Sequence, residues 1–116
     1  MGLKIDFTDK TRSNTITANC YIKAEKNLNG NSKAGSLELH VWTSKDARNS
    51  NSRKINQISI PVSKEAEVLA EDGCVENINY YDVEFKTGVD FYSYIKSLKI
   101  RTFGTIINMN NATNWK

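Results

Sequence analysis

Cysteine, proline and histidine are almost missing from this chain of 116 residues, which has two cysteines, one proline and one histidine. Cys20 and Cys74 lie far apart and form no CxxC, so neither a zinc box nor a redox pair is implied. Cys20 falls within an apolar alternation and reads as a buried thiol, while Cys74 follows Gly73 in a turn. A reducing compartment is the expectation, with a single disulfide as the minor alternative. His40 alone makes no zinc site without carboxylate or thiolate helpers, and no such cluster is spaced around it in the sequence. Long apolar runs are lacking too. Residues 1–8 contain none, so no signal peptide is expected. No stretch approaches the ~18 apolar residues of a membrane span, so no membrane partner is expected. Asp6 stands where a myristoylation signal wants Ser or Thr. The sequon Asn111-Ala112-Thr113 carries meaning only on a secretory route. There is no GxSxG and no phosphate loop, so no catalytic, cofactor-binding or metal residue is assigned and no enzyme is expected.

Charge of one sign is also scarce. The net charge is +3 with a pI near 8.9, and the charges are scattered. A nucleic-acid partner is therefore not expected. The apolar fraction of 39% is low against the ~45–50% usual for globular domains, which implies a thin core with much polar loop. Asparagine, in contrast, occurs at 14 positions, and its side chain favours turns by bonding nearby backbone. The length suits one domain over residues 1–116, with a polar tail from about residue 108.

The organising stretch is residues 36–44, SLELHVWTS. Leu37, Leu39 and Val41 alternate with Glu38, His40 and Trp42, the period of two that a half-buried strand requires. Residues 15–25 alternate for longer still, with Ile16, Ala18, Cys20, Ile22 and Ala24 on one face. Asn29-Gly30 between the two runs is a hairpin dipeptide, because a type I′ turn needs positive φ at both central residues. Leu3, Ile5 and Phe7 open the chain as a short strand. Ile58, Ile60 and Val62 form another, which Pro61 assigns to a sheet edge or a strand end. Residues 63–73 read as a helical turn or as a loop tucking in Val68 and Leu69. Tyr81, Val83 and Phe85 read as a strand. Phe91, Tyr94, Ile95 and Leu98 repeat at helical spacing, which predicts a helix over residues 91–97 capped by Asp90. Residues 99–107 are extended, with a kink or bulge at Gly104.

The polar face of the central strand carries His40 beside Trp42, and Tyr21 and Tyr80 stand on comparable faces. Such aromatics suit a protein contact or the stacking of sugar rings. Asp82 and Glu84, two apart on one strand face, read as solvent-facing acids and not as a hydrolytic pair. Two connections, residues 26–35 and 45–54, are longer than the ~2–5 residues a hairpin needs. The second carries Arg48 and Arg53, whose guanidinium groups suit bidentate bonds to a neighbour's carboxylates. The candidate interaction residues are therefore Tyr21, His40, Trp42, Arg48, Arg53 and Tyr80, and both connections are expected to be assembly elements.

Residues 41–48 (VWTSKDAR), 60–62 (IPV) and 94–98 (YIKSL) together resemble segments of small structural proteins of tailed-bacteriophage virions. The resemblance spans about half the chain and involves no residue with a chemical task. It implies a component of the tail, neck or head decoration, found in the virion or in the host cytoplasm before assembly, with itself or other virion proteins as partners. The fold expected is mainly β, an antiparallel β-sandwich or Greek-key barrel with one short helix. The alternative function is a carbohydrate- or surface-binding module that uses the Tyr/Trp face, its partner a glycan.

Overall fold

Leu37, Leu39 and Val41 leave one face of their strand and are fully buried, and that face organises the molecule. The computed structural model describes residues 2–9, 15–42, 45–50, 56–102 and 105–114. The central strand β3 (Ala34–Trp42) lies antiparallel between β2 (Thr15–Asn29) and β4 (Asn56–Ser63). Beyond β2 comes β1 (Leu3–Asp9), and beyond that β9 (Thr113–Asn114). On the other flank β6 (Val75–Asn79) runs parallel to β4, and β5 (Val68–Leu69) closes the edge. The result is a seven-strand mixed sheet in the order β5-β6-β4-β3-β2-β1-β9. β7 (Lys99–Thr102) and β8 (Thr105–Asn108) form a separate antiparallel hairpin. Helical segments are short: α1 (Lys45–Asn49), α2 (Tyr80–Val83), α3 (Gly88–Ile95) and a 3-10 turn, Met109–Asn111. Among the described residues no helix is long and apolar enough to cross a membrane.

The inner face of the sheet carries Leu3, Ile5, Cys20, Ile22, Leu37, Leu39, Val41, Ile58, Ile60 and Val62. These share one buried cluster with Val83, Phe91, Ile95, Leu98, Ile100, Ile107 and Met109. α2, α3 and the β7–β8 hairpin thus remove from water the apolar face that the period of two creates. Where β2 runs on past its last partner in β1, α3 takes over. The Ala24 N–H donates to the Tyr92 hydroxyl at 3.0 Å, so a buried strand donor is satisfied by a helix side chain.

The mainly β expectation holds, and the helix near residue 91 exists. Several finer expectations are corrected. The sheet is mixed, because β6 returns parallel to β4, and no closed barrel is found among the described residues. α3 is joined by the shorter α1 and α2. It begins at Gly88 with Thr87 at its N-cap, so Asp90 lies in the first turn and is not the cap. The bond from Phe91 N to Thr87 O, at 3.3 Å, closes that turn with Asp90 inside it. Tyr81, Val83 and Phe85 are not a strand. Asn79 accepts from Tyr81 N and starts α2, after which Tyr80 and Val83, three apart, turn inward together.

Residues 26–35 are mostly strand, with a turn only at residues 30–33. Asn29 ends β2, and its side chain accepts from the N–H groups of Asn31 and Ser32. Lys33 takes the left-handed conformation, φ 54°. A Cβ on Gly35 would collide with the Asn27 carbonyl, so only glycine lets the strands meet there. Residues 45–49 form α1 where loop was expected. Residues 63–73 contain β5, whose Val68 and Leu69 are exposed and not tucked in. Asn77 and Asn79 reach across to the carbonyls of residues 64–66 and hold that segment by side chains. β4 lies inside the sheet, yet β6 pairs only with Val62 and Ser63, so Pro61 stands where β4 has β3 as its one ladder partner. β7 and β8 pair as a hairpin, and the kink expected at Gly104 lies outside the described residues. The expected tail is folded: Met109 and Ala112 are buried, and β9 pairs with β1. Between Ile5 and Phe7 the β1–β2 register shifts, with an extra residue on β2. The inward placement expected of Ile16 and Ala18 falls on side chains outside those described. Cys20 and Cys74 are both buried and not joined to each other.

Candidate functional site

The outer face of the sheet gathers polar and aromatic side chains from β2, β3 and β4. Register sets the pairs directly: Tyr21 faces Trp42, Lys23 faces His40, and Glu25 faces Glu38. On the other side of β3, His40 faces Gln57 and Glu38 faces Ser59. Side chains opposite one another on neighbouring strands share a face and touch. The Tyr21 and Trp42 rings stand 6.0 Å apart at 46°, and the His40 and Trp42 rings 6.2 Å apart at 38°. α1 brings the Arg48 guanidinium to 5.8 Å from the Trp42 ring centre, within cation–π range.

Tyr21, His40, Trp42 and Arg48 therefore do come together. Tyr21 is only 5% exposed and His40 is buried, so of these rings Trp42 keeps the most open surface. Tyr80 is not part of this face. It is 4% exposed, lies in the core cluster, and has Lys33 Nζ at 5.3 Å over its ring. Arg53 lies outside the described residues. Asp82 and Glu84 belong to α2 and its cap, where Glu84 pairs with Lys33 at 3.9 Å.

Sequence reasoning missed the carboxylates of this face. Glu25, Glu38 and His40 each place one ligand atom within 4.8 Å of the other two. His40 Nε2 stands 3.4 Å from Glu25 Oε2. Glu38 is held by neutral donors, Gln57 at 2.8 Å and Ser59 at 3.5 Å on Oε1 and Asn27 on Oε2. Glu38-x-His40 on one strand face was a visible signal. Glu25 needed the hairpin register.

A second feature lies at the far end of β2. Lys26 Nζ donates to the carbonyls of Val83, Glu84 and Lys86, at 3.1, 3.3 and 2.6 Å, and sits 5.6 Å from the Phe91 ring centre. This cation caps α2 and pins the turn that follows. Phe85, inside the pinned turn, is 86% exposed, and Tyr81, which lines the same groove, is 57% exposed. Phe85 and Tyr81 border a groove of about 530 Å³ that Tyr94 also lines. The Tyr94 hydroxyl is buried with no hydrogen-bond partner among the described residues. Burial, with Glu67 and Asp82 adding to it, pushes its pKa up to about 12, so it stays a proton donor.

Searches of family models, of curated proteins and of solved structures each return no match to this chain.

Proposed function

We propose that this chain is a non-enzymatic structural subunit of a virion, in the tail, neck or head decoration, that packs against copies of itself or other virion proteins. The observation that supports it is Phe85. A large apolar ring stands almost fully in water on a turn that three lysine–carbonyl bonds hold in place. Monomeric proteins rarely expose a cluster of large apolar groups, and such clusters rimmed by polar residues mark contacts. A turn whose backbone is already held loses little backbone freedom on docking, so more of the ring's burial energy appears as affinity. In this reading α3 and the β7–β8 hairpin are the second layer of a reduced sandwich, and α2 carries the contact out from its end. A glycan platform draws less support, because Tyr21 and Tyr80 offer no open ring face.

The test is sedimentation velocity and native mass measurement of the wild-type chain and Phe85→Ser. The wild-type chain should associate as its concentration rises. The variant should associate at least ~10-fold more weakly, as loss of an interface anchor implies, with an unchanged unfolding midpoint. A wild-type chain that stays monomeric at every concentration, or a variant that associates equally well, would overturn the proposal.

A further inference from the structure

We infer that Glu25, Glu38 and His40 form a binding site for a divalent transition-metal ion, with zinc as its natural occupant. The first argument is cost. Glu25 and Glu38 are direct cross-strand partners, and like charges in that relation destabilise a sheet. Lys23, the register partner of His40, supplies one positive charge against these two negative ones. Arg48 is drawn to Trp42 instead.

The second argument is orientation. Glu38 receives hydrogen bonds from Asn27, Gln57 and Ser59, all neutral. They fix the carboxylate without cancelling its charge. Outer-shell donors do this to metal-bound carboxylates. The third is the donor set. One imidazole nitrogen with two carboxylate oxygens suits zinc and its neighbours in the first transition row, whereas calcium and magnesium prefer oxygen alone. Burial of His40 beside Trp42 fixes the imidazole, and the exposed Glu25 already reaches it. Ligand atoms around a tetrahedral zinc stand about 3.4 Å apart. The His40–Glu25 pair already stands at that spacing, 3.4 Å, and all three ligand atoms lie within 4.8 Å of one another. Three protein ligands leave a fourth position for water or for a group from a neighbouring molecule.

The test is titration of chelator-treated protein with Zn²⁺ alone, followed by calorimetry, and with Co²⁺, followed by its visible spectrum. Wild-type protein should bind one ion per chain, and cobalt should show no sulfur charge-transfer band. Glu25→Gln alters an exposed side chain and should fold normally while binding at least tenfold more weakly. His40→Asn should abolish uptake, and if it fails to fold, Glu25→Gln decides alone. Gln57→Leu should weaken binding roughly tenfold through the outer shell. No uptake by the wild-type chain overturns the inference. So does uptake that survives both ligand variants, or a cobalt spectrum with a sulfur band, since the ion would then sit elsewhere.

Discussion

Lys26 and Tyr92 each do, with one atom, what a longer stretch of backbone would otherwise have to do. Lys26 closes the end of α2 by taking the carbonyls that a short helix leaves open. Tyr92 takes the Ala24 N–H where β1 no longer reaches. Both groups are partly or fully buried, so leaving their partners bare is expensive. Tyr92→Phe keeps the ring and removes only the acceptor, and should destabilise the protein by ~1–3 kcal/mol, the desolvation cost of an orphaned buried donor. Urea unfolding of the two proteins checks this, and the Ala24 amide should lose hydrogen-exchange protection first. Neither role was legible in the sequence. The bonded partners are main-chain atoms some sixty residues away, and no pattern of residue types encodes them.

β1 to β4 were readable because each buries one face, and the period of two records that burial. α3 was readable from its i, i+3, i+4 spacing. β5, β6 and α2 were not, since they are too short for a period to develop, and α2 is started by the Asn79 side chain and not by its apolar pattern. The polar site was hidden by register. A two-residue Asn29-Gly30 turn would have set Glu25 opposite Ala34, whereas the longer turn, with Lys33 at positive φ, sets it opposite Glu38. The turn before β6 shows a similar dependence on one side chain. Asp72 accepts from the Cys74 N–H at 3.0 Å and pairs with Arg101 on β7. These two bonds, the backbone one first, lower its pKa to about 2. A depressed carboxylate pKa stabilises the fold above the unfolded value and loses that contribution as pH falls through the folded one. The tie between this turn and β7 should therefore weaken from about pH 4 down to about pH 2. Asp72→Asn should flatten the stability-versus-pH curve in that window, and an unchanged slope would refute the assignment.

The sheet and its covering layer share one buried cluster, so the domain should unfold as a unit. Leu39, fully buried on β3 at the middle of the sheet order, is the place to test it. Leu39→Ala should cost ~2–5 kcal/mol, with tryptophan fluorescence and circular dichroism reporting one coincident transition. A loss within ~0.5 kcal/mol would put that face in solvent. The β1–β9 pairing bears on how the fold carries load. Leu3 lies opposite Asn114 and Lys4 opposite Thr113, antiparallel, so the two ends of the described residues sit side by side. Tension applied between those ends would peel the strands apart one pair at a time, like a zipper, with no row of bonds sharing the force. Were the chain the structural subunit proposed above, stress would have to cross from face to face, through contacts such as the one proposed at Phe85, and bypass the backbone.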